Sequence, residues 1–273
     1  MKAGVLALLS DAGIEAQSSE RQYRPELSAK DLSAKWLKPR SIVEMLARGS
    51  RDLGFAGADW VAELGLPLVE LLDTGLNPVR IVAAAPKELK LQQLLAKRDT
   101  RIATEYPQLT QRWLAEQELE AEVIQSHGAT EVFPPEDADC IVDNTSSGAT
   151  LRANGLTIGA TLMESTTRLY APHAALEDPR KKKRIEELVL LFRGVLDARM
   201  RVMLEANVQA KDLEFVVSLL PGMRCPTVST LANAAGYAVR AAVLSSEVSE
   251  LIPVLKAAGA SDIVITKLEQ IIP

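Results

Sequence analysis

The apolar positions of the chain follow two rhythms, one helical and one of strands, which alternate for most of its length. Val5 to Leu9 opens the pattern as a helix closed by Gly13. A polar stretch with Arg21-Gln22-Tyr23 follows, and Ser33 to Leu37 then reads as a strand. Ile42, Val43, Leu46 and Ala47 recur at helical spacing until Gly49. Leu53 to Gly57 reads as a short buried strand whose glycines allow close backbone approach, and Asp59 is placed to cap the next helix. Val79 to Pro86 is a strand stopped by proline, followed by a helix over Lys87 to Leu95 and a strand over Arg101 to Thr104. A helix from Thr110 to Glu118, a strand from Ala121 to Ile124, and strand-length apolar runs at Cys140 to Val142 and Leu156 to Met163 continue the series. Such alternation predicts an α/β fold with a largely parallel sheet.

The last third changes character. Asp178-Pro179 is a helix start, with Asp at the cap and Pro in the first turn. Ile185, Leu188, Val189, Leu191 and Phe192 form an apolar stripe that runs to about Ala198. From Met200 the order is strand, helix, strand, strand, helix, strand, ending at Ile263 to Thr266. That βαββαβ order predicts a ferredoxin-like domain of the kind that binds small ligands.

Composition narrows the function. With 273 residues, 47% of them hydrophobic and 25% charged, the chain can bury a sizeable core in one to three domains. A net charge of −5 argues against general nucleic-acid binding, so an anionic substrate must be held by local donors. The basic run Arg180 to Arg184 reads as a solvated helix face, because an apolar stripe and two glutamates accompany it. No uncharged apolar segment reaches about 18 residues, so no membrane span is expected. Cys140 and Cys225 form no C-x-x-C pair, which argues against a zinc cluster and fits a reducing, cytoplasmic compartment. No Ser-His-Asp or Cys-His order supports a nucleophile.

The stretch Asp139 to Asn154 carries the chemistry. An apolar run ends in Asp143, and Asn144, Thr145, Ser146, Ser147, Gly148, Ala149, Thr150 and Leu151 follow. Small side chains let several backbone N–H groups converge on one anion, and hydroxyls add donors. Asp143 can accept hydrogen bonds from a ribose diol beside that phosphate. An ordinary Ser/Thr/Gly turn after a strand has the same composition, and no Gly-Lys-Ser/Thr follows to make a Walker loop.

This loop, running on through Leu151-Arg152-Ala153-Asn154-Gly155-Leu156, resembles the 5-phosphoribosyl-diphosphate (PRPP) loop of the ATP phosphoribosyltransferase family. Gly49 to Asp59, Val79 to Pro86 leading to Arg101 to Pro107, and Leu219 to Ser229 resemble that family in the same order. The resemblance implies the long form. It implies a two-lobed, type II periplasmic-binding-protein-like catalytic core, with residues 1–85 and 164–198 as lobe I and 86–163 as lobe II. An ACT-like regulatory domain over 199–273 completes it.

The implied reaction is Mg²⁺-dependent transfer of phosphoribose from PRPP to N1 of ATP, which opens histidine biosynthesis and is inhibited by histidine. Residues 143–151 fall at the PRPP-binding positions. Arg21 and Arg40, with Lys38 beside them, fall where basic residues meet the diphosphate, a role that suits paired guanidinium donors. Gly57, Asp59, Tyr106 and Glu131 fall at ATP-binding positions. Asn207, Met223 and Thr227 fall at histidine-binding positions. The implied assembly is a homo-oligomer, dimer to hexamer. Family members begin with a strand and a Lys-Gly-Arg loop before the helix that Val5 to Leu9 resembles, and neither precedes it here, which implies either a displaced start or a sheet short of one strand and a basic anion-binding loop. The alternative to an enzyme is a non-catalytic two-lobed sensor that uses the same cleft.

Overall fold

The computed structural model describes residues 1–17, 23–97, 99–223 and 225–272. In chain order its first elements are α1 (Lys2–Asp11), β1 (Ala16–Gln17), β2 (Glu26–Leu27), α2 (Pro39–Ala47), β3 (Gly54–Gly57), α3 (Ala58–Leu64) and β4 (Leu68–Pro86). There follow α4 (Leu91–Leu95), β5 (Arg101–Thr104), α5 (Pro107–Glu116), β6 (Glu122–Gln125), β7 (Cys140–Thr145), α6 (Ala149–Ala153), β8 (Leu156–Pro172), α7 (His173–Glu177) and α8 (Pro179–Arg199). The chain ends with β9 (Arg201–Val208), α9 (Leu213–Leu219), β10 (Thr227–Thr230), β11 (Tyr237–Leu244), α10 (Val248–Ala257) and β12 (Ser261–Lys267). Met1–Val5, Gln17–Glu26 and Asp31–Glu186 make one compact unit; Leu6–Ala16, Leu27–Lys30 and the residues from Glu187 onward make a second. No helix among the described residues is long and apolar enough to cross a membrane.

The first unit is built on a six-stranded sheet in the order β3-β8-β4-β7-β5-β6. Strand residues alternate sides with a period of two, and the burial follows that alternation. Ile81, Ala83 and Ala85 of β4, Ile102 of β5, and Cys140 and Val142 of β7 join a core with Leu91, Leu94 and Leu95 of α4 and Leu114 of α5. Val82, Ala84, Ala103 and Ile141 belong to a separate core with Leu151 of α6 and Leu156. β7 is thus buried on both faces, which suits its unbroken apolar start. Cys140 packs there as a small apolar group, its thiol pushed up to about 12 by burial and then by Asp139.

Several expectations are corrected. The sheet is not largely parallel: β3–β8, β8–β4 and β4–β7 are antiparallel, and only β7–β5 and β5–β6 are parallel. The reason is that β4 and β8 are single long strands, running side by side in opposite directions. Ser33 to Leu37 forms no strand; it is irregular chain with a bond from the Trp36 N–H to the Tyr23 carbonyl, 2.8 Å. The helix expected from Lys87 starts only at Leu91, because Lys87 donates to the Gly155 carbonyl and Leu89 closes a turn on Pro86. Asp59 does not cap α3: the N-cap is Gly57, and Asp59 lies inside the first turn with its side chain buried. Asp178, in contrast, caps α8 as read, its Oδ1 accepting the N–H groups of Arg180 (2.9 Å) and Lys181 (3.2 Å).

The second unit holds a four-stranded antiparallel sheet, β10-β11-β9-β12, so the expected βαββαβ order folds with its first and last strands adjacent. Leu204, Ala206 and Val208 of β9 and Val239, Ala241 and Val243 of β11 share one core with Val216 of α9 and Leu251 and Leu255 of α10. Leu204 lies on a central strand and is fully buried. Leu204→Ala is expected to destabilise this unit by about 2–5 kcal/mol. Amide hydrogen exchange should report it as lost protection in β9 and β11, and unchanged protection there would refute it.

Candidate functional site

The site grows from the ends of β7 and β5 in the first unit. β7 ends at Thr145, whose Oγ1 accepts the N–H of Gly148 at 3.0 Å, while Ser147 Oγ accepts the N–H of Ala149 at 3.3 Å. These two side-chain bonds close the loop as a tight turn. Gly148 has φ +73°, and a Cβ there would stand 3.0 Å from Arg152 Nη1, which itself donates to the Ser147 carbonyl at 3.0 Å. Glycine is therefore favoured by the left-handed backbone, while the Arg152 guanidinium, the end of a flexible side chain, could give way. The turn delivers the chain into α6, whose first-turn N–H groups at Thr150 and Leu151 have no carbonyl four residues back within the helix. Thr145 is buried, while Ser146, Ser147, Ala149 and Thr150 are exposed.

Asp143 stands at the head of this loop. Its Oδ1 accepts the Asn144 N–H at 2.6 Å and Asn144 Nδ2 at 3.3 Å. Burial, reinforced by the charges of Glu105 and Glu131, pushes its carboxyl up to about 6, against the opposing bonds from Asn144 and Thr130. Thr130 in turn shares a 2.7 Å hydroxyl contact with Ser126.

Behind the loop lies a buried polar chain. Tyr106 follows β5 and is 1% exposed; its N–H bonds Thr104 Oγ1 at 2.9 Å and its ring lies 4.9 Å from that of Trp60. Its hydroxyl donates to Asp59 Oδ2 at 2.9 Å and accepts from Asn144 Nδ2 at 3.1 Å. Burial first, then the Asp59 carboxylate, hold this hydroxyl well above its usual pKa, so it stays a donor. Ser165 of β8 donates to Asp59 Oδ1 at 2.6 Å and accepts the Asp59 N–H at 3.0 Å. A Cβ at Gly57 would lie 2.2 Å from Asp59 Oδ1, so only glycine lets the carboxylate turn back here.

The fold thus brings Gly57, Asp59, Tyr106, Glu131 and the 143–151 loop into one region. Arg40 is not bonded to them: it sits in the first turn of α2 with its Nε 3.1 Å from Glu44 Oε1. Lys38 is the N-cap of that helix. Arg21 lies outside the described residues. In the second unit Asn207 Nδ2 donates to Asp262 Oδ2 at 3.0 Å. Thr227 is two strands away, paired with Arg240, which pairs with Glu205 rather than Asn207; exposed Met223 lies before β10. Sequence reasoning missed Ser165 and Glu63. Glu63 is buried and accepts the N–H groups of Gln108 (3.0 Å) and Leu109 (2.8 Å), capping α5 from the neighbouring helix. Two acids four residues apart on one helix, Asp59 and Glu63, were the available signal.

Residues 38–194 match the family model HisG, ATP phosphoribosyltransferase, and residues 198–270 match that of the HisG C-terminal domain. The ATP phosphoribosyltransferase of Pelotomaculum thermopropionicum is 36% identical over 271 residues, covering 97% of this chain and 94% of that protein. That of Desulforudis audaxviator is 37% identical with the same coverage. A chain of the ATP phosphoribosyl transferase (HisG:HisZ) complex from Thermotoga maritima is similar at a TM-score of 0.60 and 26% identity, over 70% of this chain and 93% of that one.

Tyr106→Phe removes the hydroxyl shared by Asp59 and Asn144 while keeping the ring against Trp60. The loss of a donor to a buried carboxylate is expected to cost about 1–3 kcal/mol in denaturant unfolding. A variant as stable as the parent would show that the hydroxyl bridge contributes nothing.

Proposed function

This chain belongs to the ATP phosphoribosyltransferase family, and we propose that the site around Asp143 carries out that family's reaction. Phosphoribose passes from PRPP to N1 of ATP, releasing diphosphate, as the first step of histidine biosynthesis. The bond from the anomeric carbon to diphosphate breaks as the bond to N1 forms, with oxocarbenium character between them. N1 attacks with its own lone pair, so the protein's task is alignment and leaving-group stabilisation rather than proton removal.

The observation that carries the assignment is the turn from Asp143 to Leu151, a half-buried carboxylate followed by a glycine-closed loop of exposed hydroxyls and first-turn helix N–H groups. We assign Asp143 to the ribose diol and Thr145 to Thr150 to the 5′-phosphate, which is met by dipoles rather than by lysines. Gly57, Asp59, Tyr106 and Glu131 form the ATP side, and Arg21 and Arg40 serve the diphosphate. Lobe I (1–85 and 164–198) and lobe II (86–163) would close on the substrates about the long strands β4 and β8.

Among the described residues no cluster of three or more acids, histidines or cysteines is arranged to hold a metal. Glu105 and Glu131, whose charges act on Asp143, would hold Mg²⁺ through carboxylate oxygens, the donor type it takes, with most of its ligands from phosphate and water. When bound, that ion neutralises the diphosphate charge as it leaves. In the second unit we assign histidine as inhibitory ligand to Asn207, Met223 and Thr227. Their wide spacing within one chain favours a homo-oligomer, in which a neighbouring copy completes the site. The two unbridged cysteines accord with a cytoplasmic location.

Incubation with ATP, PRPP, Mg²⁺ and a pyrophosphatase should give phosphoribosyl-ATP, read by ultraviolet absorbance, and less of it with histidine present. No product under these conditions would overturn the assignment. Ser147→Ala combined with Thr150→Val should raise the KM for PRPP roughly tenfold, about 1.4 kcal/mol, with the KM for ATP little changed. An unaltered KM for PRPP removes these hydroxyls from the phosphate site.

The raised pKa of Asp143 sets a pH dependence. Its folded value of about 6 lies above the unfolded value of about 3.9, so ionisation costs stability, a cost absent below about pH 4 and complete above about pH 6. Asp143→Asn should therefore be stabilising at pH 7 by about 2–3 kcal/mol and neutral near pH 4. The ionised carboxyl accepts from both diol hydroxyls, whereas protonation turns one of its oxygens into a donor, so wild-type kcat/KM for PRPP should fall as pH drops through about 6. Asp143→Asn, slower throughout, should lack that inflection; its persistence in the variant would assign it to the substrate.

A further inference from the structure

A chain of hydrogen bonds reaches the head of the phosphate loop from behind, and every side-chain donor in it points toward Asp59. Asn144 Nδ2 donates to the Tyr106 hydroxyl (3.1 Å), the Tyr106 hydroxyl to Asp59 Oδ2 (2.9 Å), and the Ser165 hydroxyl to Asp59 Oδ1 (2.6 Å). This polarity has a definite cause. A carboxylate only accepts, so both hydroxyls turn their protons to Asp59. The Tyr106 oxygen then has lone pairs to offer, and these fix which end of the Asn144 amide faces it. With Nδ2 so placed, the same amide also bonds Asp143 Oδ1 at 3.3 Å, beside the 2.6 Å bond from the Asn144 backbone.

Asp59 is 5% exposed and Ser165 is 2% exposed, and each Asp59 oxygen already accepts a hydroxyl. Such a carboxylate is poorly placed to touch a nucleotide. We infer that Asp59 and Ser165 are positioning residues for the phosphoribosyl substrate rather than ATP contacts, acting through Tyr106 to set the orientation of Asn144 and Asp143. The inference rests on the reading of residues 143–151 as the PRPP loop, and it revises the role of Asp59 within that reading.

Asp59→Asn tests it, because an amide presents a donor where one of the two hydroxyls needs an acceptor. In ligand-free, ¹⁵N-labelled protein the Asn144 side-chain NH₂ resonances should shift in Asp59→Asn and Ser165→Ala and remain at wild-type positions in Ser165→Thr, which keeps the hydroxyl. In kinetics Asp59→Asn should raise the KM for PRPP tenfold or more while the KM for ATP changes less than twofold. Ser165→Ala should move the same way by a smaller factor, with Ser165→Thr restoring the wild-type value. Should Asp59→Asn not fold, the alanine and threonine variants at 165 carry the same comparison. Unmoved Asn144 resonances overturn the relay, and an increase confined to the KM for ATP overturns the substrate assignment in favour of direct nucleotide contact. Failure of the parent reading looks different. The wild type would then show no PRPP-dependent turnover, while the resonances would still decide whether Asp59 and Ser165 orient Asn144.

Discussion

A carboxylate taken out of water must find donors inside the protein, and Asp59 finds two hydroxyls and a place beside a glycine. Meeting that requirement joins segments far apart in sequence. Residue 59 follows β3, 106 follows β5, 144 lies near the end of β7 and 165 lies on β8, so one buried charge constrains four elements of the first unit. Partial satisfaction would leave a costly orphan, which makes this network a strong condition on how those elements register.

The other condition is set by β4 and β8, which pair along most of their length with repeated register shifts. The sequence from Asp73 to Pro78 has the marks of a turn, with Gly75 at φ +64° and Asn77 at φ +50°. Here those residues are absorbed as bulges within a continuous ladder. Side chains pin them: Thr74 Oγ1 donates to the Thr167 carbonyl at 2.5 Å, and Asp73 Oδ1 accepts from the Gly75 N–H at 2.9 Å and Thr166 Oγ1 at 2.7 Å. Arg168 adds ion pairs to Glu70 (2.8 Å) and Asp73 (3.2 Å). Turn chemistry read locally points to a chain reversal, while the neighbouring strand turns the same residues into a bend.

Charge is handled locally throughout the first unit. Lys181 and Arg184 of the basic run pair with Asp52 (2.8 Å) and Asp31 (2.7 Å), so part of that run serves the fold instead of a polyanion. Arg40, a candidate for the diphosphate, rests on Glu44. The charges of Glu105 and Glu131 act on Asp143 at the head of the 144–151 loop, in keeping with a chain of net charge −5.

The sequence alone determined the elements whose signals are local: the α8 start at Asp178-Pro179, the strand at 101–104, the βαββαβ order of the last domain, and the turn at Thr145 to Gly148. Each is fixed by neighbours within a few residues, through caps, alternation or a left-handed glycine. Tertiary structure alone decided the antiparallel sheet, the bulged continuity of β4, the capping of α5 by Glu63, and the use of the Asp59 carboxylate as acceptor for Ser165 and Tyr106 instead of as a helix cap. In those cases the partner lies tens of residues away, and a local pattern carries no record of which distant donor will arrive to satisfy a buried acid.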